Sequence, residues 1–129
     1  MYFSAAALAR KIEKLATESW KKTNLSPAHA YLLMVVIDDP GIQPGELAKE
    51  LMLQPSTVSR FIEKLETKKL LVRIVSGKIT NVYPTPKAKD MLPTLKESVG
   101  HFYQTYATIL GKEMSSELVT NMNIITDKL

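Results

Sequence analysis

Apolar positions recur at helical spacing along most of this chain and give way to β-branched clustering in one stretch only. Residues 4–22 carry Leu8, Ile12, Leu15, Ala16 and Trp20 on one stripe, which predicts an amphipathic helix. Lys21 and Lys22 fall in its expected last turn, where cations suit the helix dipole. Ser26-Pro27 reads as the N-cap and first residue of a second helix running to Ile37. That helix is apolar nearly all round, so it is expected at the centre of the core. Asp38-Asp39-Pro40-Gly41 ends it. Pro44 and Pro55 each suit the first position of a helix, where the missing N–H costs nothing. The helix after Pro44 carries Leu47, Ala48 and Leu51. The one after Pro55 carries Val58, Phe61, Ile62 and Leu65 at i, i+3, i+4, i+7 spacing.

The period then changes. Residues 72–84, VRIVSGKITNVYP, are rich in β-branched side chains and have Ser76-Gly77 at their centre, which predicts two short strands around a tight turn. Thr85-Pro86 opens a further helix through Leu95, Val99, Phe102, Tyr103, Tyr106, Ile109 and Leu110. Pro93 should kink or restart it, and Gly111 should stop it. A last helix over about 113–128 aligns Met114, Leu118, Met122, Ile125 and Leu129.

Helix, break, helix, then β-hairpin is the order of a winged helix–turn–helix. The expected fold class is therefore mainly α with a small β-hairpin wing. Opposite the apolar stripe of the helix after Pro55 lie Ser56, Arg60, Glu63, Lys64 and Thr67. Small hydroxyls allow close approach to a DNA major groove, and Arg can bond guanine bidentately. A helical hairpin with a solvated polar face would show much of the same pattern, and the hairpin that follows weighs against that reading. The join Met52-Leu53-Gln54 contains no Gly, so one of these residues is expected to adopt an unusual backbone angle. Lys78 falls at the hairpin tip and Arg73 at its base, within reach of an adjacent phosphate or minor groove.

Charge sharpens this picture. Between Pro44 and Lys89 there are nine Lys or Arg against four Glu, a net of +5, while the remaining residues sum to −1. The whole formal charge of +4 thus comes from the helix–turn–helix and wing, as phosphate contact requires. An acidic protein partner would meet the same charge, so a protein-interaction module is the competing reading. An enzyme has little support: there is no Cys nucleophile, no Gly-rich phosphate loop and no paired acids beside a histidine. The absence of Cys also excludes disulfides and Cys-based zinc sites. His29 and His101 are far apart and lack an acidic cluster, so no metal and no cofactor are expected. No apolar run reaches membrane-spanning length, and the N-terminal segment, interrupted by Arg10 and Lys11, does not have a signal-peptide layout. A cytoplasmic protein is expected.

The 129 residues suffice for one domain, with a helix–turn–helix and wing over 25–84. The amphipathic helices of 1–24 and 85–129 exceed what so small a module can cover. A second copy of the chain is the simplest partner for their apolar faces, so a homodimer is expected.

LAKELMLQPSTVSRFIEKLETKKLLVR, within Pro44–Arg73, resembles the MarR (multiple-antibiotic-resistance regulator) family of bacterial transcription factors. The resemblance implies a winged helix–turn–helix whose N- and C-terminal helices interlock in a homodimer on double-stranded DNA. It puts Gln54, Pro55, Ser56, Thr57, Ser59 and Arg60 at the start of the recognition helix, with Lys64 further along. Lys64, Lys68, Arg73 and Lys78 would then neutralise phosphates. It also implies a small aromatic or anionic effector between the dimer helices and the reading domain, for which Trp20, His29, Tyr31, His101, Phe102 and Tyr103 are candidate lining residues, although core packing accounts for aromatics equally well. Two departures stand out. Lys69 occupies a position where the family usually has Gly, and a non-Gly residue in a left-handed cap costs about 1 kcal/mol, so the helix is expected to end differently. The hairpin is short, and SGKITN lacks the Asp-plus-Arg signature of the family's wing.

Overall fold

A computed structural model describes residues 1–129. Its elements in chain order are α1 Tyr2–Ser19, a 3-10 turn Lys21–Thr23, α2 Pro27–Asp38, α3 Pro44–Leu51, α4 Pro55–Thr67, β1 Leu71–Ser76, β2 Ile79–Pro84, α5 Pro86–Asp90, α6 Leu92–Leu110 and α7 Lys112–Lys128. The predicted mainly helical class with one small hairpin is what the fold shows. No helix is long and apolar enough to cross a membrane.

The first helix departs from expectation at its end. It stops at Ser19, and Lys21-Lys22-Thr23 tighten into a 3-10 turn closed by Asn24 in the left-handed region. Thr23 is the local cause. Its Oγ1 donates to the Trp20 carbonyl at 2.6 Å and accepts from the Leu25 N–H at 3.1 Å. A hydroxyl that takes backbone partners in this way competes with continuation of a helix.

The starts of the later helices follow the sequence. Ser26 Oγ accepts the His29 N–H at the head of α2, and Thr85 Oγ1 accepts the Ala88 N–H at the head of α5. Pro93 falls in the first turn of α6, so α5 and α6 are separate helices with a restart between them. The helix ends are more informative. Met52 takes φ 53° and Lys69 takes φ 61°. In α3, Leu53 N–H bonds the Ala48 carbonyl at 3.0 Å and Met52 N–H bonds that of Lys49 at 3.2 Å. In α4, Leu70 N–H bonds Leu65 at 2.9 Å and Lys69 N–H bonds Glu66 at 2.9 Å. Both are Schellman motifs built without glycine. Lys69 therefore ends its helix as a glycine would, contrary to the expectation of a different ending. The left-handed angle costs about 1 kcal/mol, and the core contacts of the adjacent Leu70 offset it.

Pro27–Asp38 forms the centre of the core, with Ala30, Leu32, Leu33 and Val36 fully buried. Around it pack Leu47 from α3, Val58, Ile62 and Leu65 from α4, Leu71 and Val82 from the hairpin, Ala88 from α5 and Leu95 from α6. The strands pair antiparallel from Leu71 opposite Pro84 to Ser76 opposite Ile79. Gly77 alone of the two turn residues has positive φ, the pattern of a II′ hairpin turn. A bridge from Ile42 to Val82 and a bond from Asn81 Nδ2 to the Gly41 carbonyl at 2.7 Å fasten the hairpin base to the α2–α3 connection. Gly41 sits at φ +94°, where any side chain is strained, and a Cβ there would lie 3.3 Å from the Tyr83 ring, which would have to give way.

The chain ends pack on each other: α1 lies against α6, and α6 against α7. Tyr2, Phe3 and Leu8 of α1, Ile109 and Leu110 of α6, and Met114, Val119, Ile124 and Ile125 of α7 remain exposed.

Candidate nucleic-acid interface

The site is built on α4. Val58, Ile62 and Leu65 are 0–1% exposed, so the helix cannot roll about its axis without opening the core. That anchoring presents Ser56, Ser59, Arg60, Glu63, Lys64 and Thr67 to solvent. Gln54 is the N-cap and makes no side-chain cap bond, and the first turn holds no acid. The unpaired N–H groups of that end and its positive dipole are thus left facing outward, where an anion is favoured. Arg60 Nη2 lies 3.4 Å from Thr57 Oγ1, one turn back, so the guanidinium leans toward the N-terminal end of the helix. Gln54, Pro55, Ser56, Thr57, Ser59 and Arg60 form one cluster on the first two turns, with Thr57 half-buried and the others exposed.

The remaining four cations separate. Lys64 stays free on the exposed face of α4. Lys68 Nζ donates to the Asn24 carbonyl at 3.2 Å, and Arg73 Nη2 lies 2.7 Å from Glu66 Oε1. Those two charges are engaged within the protein, and Arg73 ties the wing base to the recognition helix. Sequence reading missed this because Glu66 is seven residues from Arg73 and only the α4–β1 corner brings them together. Lys78 stands alone at the hairpin tip.

The six candidate effector residues do not line one cavity. His29 stacks on Phe61 of α4, ring centres 4.0 Å apart, and its Nδ1 is hydrogen-bonded to Ser26 Oγ. Burial, and secondarily Lys64 and Lys68, hold its pKa below the usual histidine value of 6.5. Trp20 packs between Tyr31 at 5.4 Å and Phe102 at 5.6 Å, and Phe102 meets Tyr106 at 5.1 Å. The buried Trp20 indole N–H has no acceptor. Burial raises the Tyr31 pKa, and Tyr106 adds to the shift. His101 accompanies Ser19, 2.9 Å away, in a polar cavity of about 450 Å³ that also presents Glu18, Lys21, Lys22 and Glu97. Tyr103 faces a smaller cavity, about 280 Å³, between α6 and α7. Tyr106 meets both Phe102, at 5.1 Å, and Tyr103, at 5.4 Å, and was not among the six. Its spacing of four from Phe102 and three from Tyr103 was the available signal.

Residues 23–78 match the MarR family. The match covers α2 to the hairpin tip, the part that holds α4. YybA of Bacillus subtilis (strain 168), an uncharacterized HTH-type transcriptional regulator, is 26% identical over 97 residues. The alignment takes in 73% of this chain and 65% of YybA, just under two thirds of that relative. Among solved structures, the transcriptional repressor CouR bound to p-coumaroyl-CoA superposes with a TM-score of 0.90 at 19% identity, over 100% of this chain and 93% of its own. The S. aureus MepR–DNA complex superposes at 0.84 with 18% identity, over 100% and 98%. The likeness in fold thus extends over the terminal helices as well.

Proposed function

We propose that this MarR-family chain is a homodimeric, sequence-specific DNA-binding transcriptional regulator, a repressor in the cytoplasm, acting on an imperfect palindrome. The observation that carries the reading is α4: a helix locked by three buried side chains, with hydroxyls on its first turn and free face and an exposed arginine leaning toward its N-terminal end. Arg60 contacts a base edge, most readily guanine. Ser56, Thr57 and Ser59 bond bases or phosphates, Gln54 and Pro55 set the approach of the helix end, and Lys64 and Lys78 neutralise phosphates. Lys68 adds positive potential while it holds the Asn24 carbonyl, and Arg73, paired with Glu66, fixes the wing base. The reading region spans 25–84, and 1–24 with 85–129 associate with the second copy, placing two recognition helices about 34–36 Å apart.

The same basic face would attract an acidic protein. Kinship with a family of regulators and likeness to a DNA-bound neighbour favour DNA. CouR's bound ligand supports extending the proposal to release by a small aromatic or anionic effector, with the His101 cavity beside the Trp20 stack as its site. A rise in melting temperature with an aromatic carboxylate, together with weaker DNA binding, checks that extension.

The test is selection from randomised duplex DNA at about 0.15 M salt, with Arg60→Ala in parallel. An enriched palindrome lost in the variant is the expected result. Equal losses on cognate and random DNA would refute the role given to Arg60, and no enrichment with either protein would refute sequence-specific reading.

A further inference from the structure

The head of α2 meets α4 along the flank of its reading face. His29, in the first turn of α2, is half-buried, and its ring centre lies 4.0 Å from that of Phe61. Phe61 follows Thr57 by one turn and precedes Lys64 and Lys68 by one turn and two, so these four residues share one stripe of α4. The stripe begins in the cluster on the first two turns, since the Arg60 guanidinium leans on Thr57 Oγ1. At its other end Lys68 Nζ donates to the Asn24 carbonyl at 3.2 Å, and Lys87 Nζ donates to the Lys68 carbonyl at 3.1 Å, which gathers a third cation there. The charges that face His29 are Lys64 and Lys68, and no carboxylate lies within 4 Å of its ring. Its Nδ1 is bonded to Ser26 Oγ, and its Nε2 has no hydrogen-bond partner in the protein.

Lysines gathered without an acid make a seat for an anion, and a histidine among them makes that seat sensitive to protons. In the free protein a proton on His29 must leave water and sit beside two ammonium groups, and both effects keep the ring neutral near pH 7. A phosphate over Lys64 and Lys68 reverses the second effect. Its charge favours the imidazolium, and a protonated Nε2 is a donor for it. We infer that the DNA backbone, seated on Lys64 and Lys68 while α4 reads its groove, draws a proton onto His29, so that acid tightens the hold on DNA. The inference rests on the DNA-binding reading above. Continuity of the stripe with Thr57 and Arg60 selects the DNA backbone as the anion. Reciprocity sets the sign: if DNA raises the affinity for a proton, a proton raises the affinity for DNA by the same factor. The gain is at most about tenfold per pH unit and protomer, the yield of one proton. It applies to cognate and random duplexes alike, because the contact is to the backbone.

The test uses the full chain and a random duplex, titrated by calorimetry near about pH 6 in two buffers of different ionisation enthalpy. Wild type should take up protons on binding DNA, up to one per protomer. Its affinity at constant ionic strength should rise several-fold from about pH 7.5 to about pH 5.5. His29→Gln should abolish the uptake and flatten the rise. Melting of each DNA-free protein at the same pH separates these effects from acid unfolding. The histidine NMR signals of wild type give a readout that needs no variant: His29 should titrate at higher pH with DNA than without. No uptake by wild type, an uptake that His29→Gln retains, or affinity that falls in acid overturns the inference while DNA binding itself stands. If inorganic phosphate alone moves the His29 titration as far as DNA does, the seat serves a free anion and its assignment to DNA is overturned. Failure of wild type to bind any duplex at low salt overturns the DNA-binding reading beneath it.

Discussion

Helices α4 and α7 carry apolar stripes of similar spacing and meet opposite fates. In α4 the stripe disappears into the core, with Val58, Ile62 and Leu65 at 0–1% exposure. In α7, Met114 and Ile125 of the stripe are 57% and 53% exposed, Leu129 just past its end is 93% exposed, and Ser115 is the helix's one buried residue. The same contrast holds for the regions around them. Fifteen of the eighteen core side chains lie between Leu25 and Ala88, and α7 supplies none. A stripe states that a face is apolar; it does not state what covers it. In the reading region the cover comes from this chain, and at the chain ends we propose that it comes from a second copy.

Substitutions can break that contrast. Ile62→Ala should cost about 2–5 kcal/mol, read as a lower urea midpoint with an unchanged slope. An aspartate pair in α7, Met114→Asp with Ile125→Asp, should leave the secondary structure of the reading region in place and halve the molar mass in light scattering. A double variant that stays dimeric would remove α7 from the proposed interface.

A subtler comparison concerns pH. His29 lies against α4, its pKa held down by burial and then by Lys64 and Lys68. The folded protein therefore resists protonating it. The unfolded chain takes up that proton below about 6.5, so this contribution to stability is complete above pH 6.5 and declines as pH falls toward the folded value. His29→Gln should flatten the decline in melting temperature between pH 7 and 5.5. No histidine stacks on α7, so the aspartate pair should not alter that part of the profile.

The smallest effect is expected at Lys69. Glycine carries no steric penalty at φ 61° but gains freedom in the unfolded chain, so Lys69→Gly should stabilise by up to about 1 kcal/mol. A loss of stability would mean that the lysine stem contributes packing that outweighs its backbone strain.

Much of this molecule was legible in its residues because the signals are local. Proline at Pro27, Pro44, Pro55 and Pro86, with Ser26 and Thr85 before two of them, sets helix starts from fixed φ and a single hydrogen bond. A glycine-free join forced one left-handed residue, and it is Met52. The cluster Gln54–Arg60 was legible because consecutive turns of one helix share a face whatever the tertiary context. The end of α1 was less so, since a stripe continuing to Trp20 conceals a hydroxyl that takes the backbone bonds at Thr23.

Local chemistry along the chain determined element types, helix starts, the two-faced recognition helix and the placement of net charge, since each depends on neighbours within about a turn. Only the tertiary structure decided which cations are free and which are committed. Lys68 meets a carbonyl 44 residues away, and Arg73 meets Glu66 across a helix–strand corner. Packing likewise separated His29 from Trp20, Tyr31 and Phe102, and it brought Ser19 to His101 across 82 residues. Such pairings depend on where the chain returns, and periodicity carries no information about return.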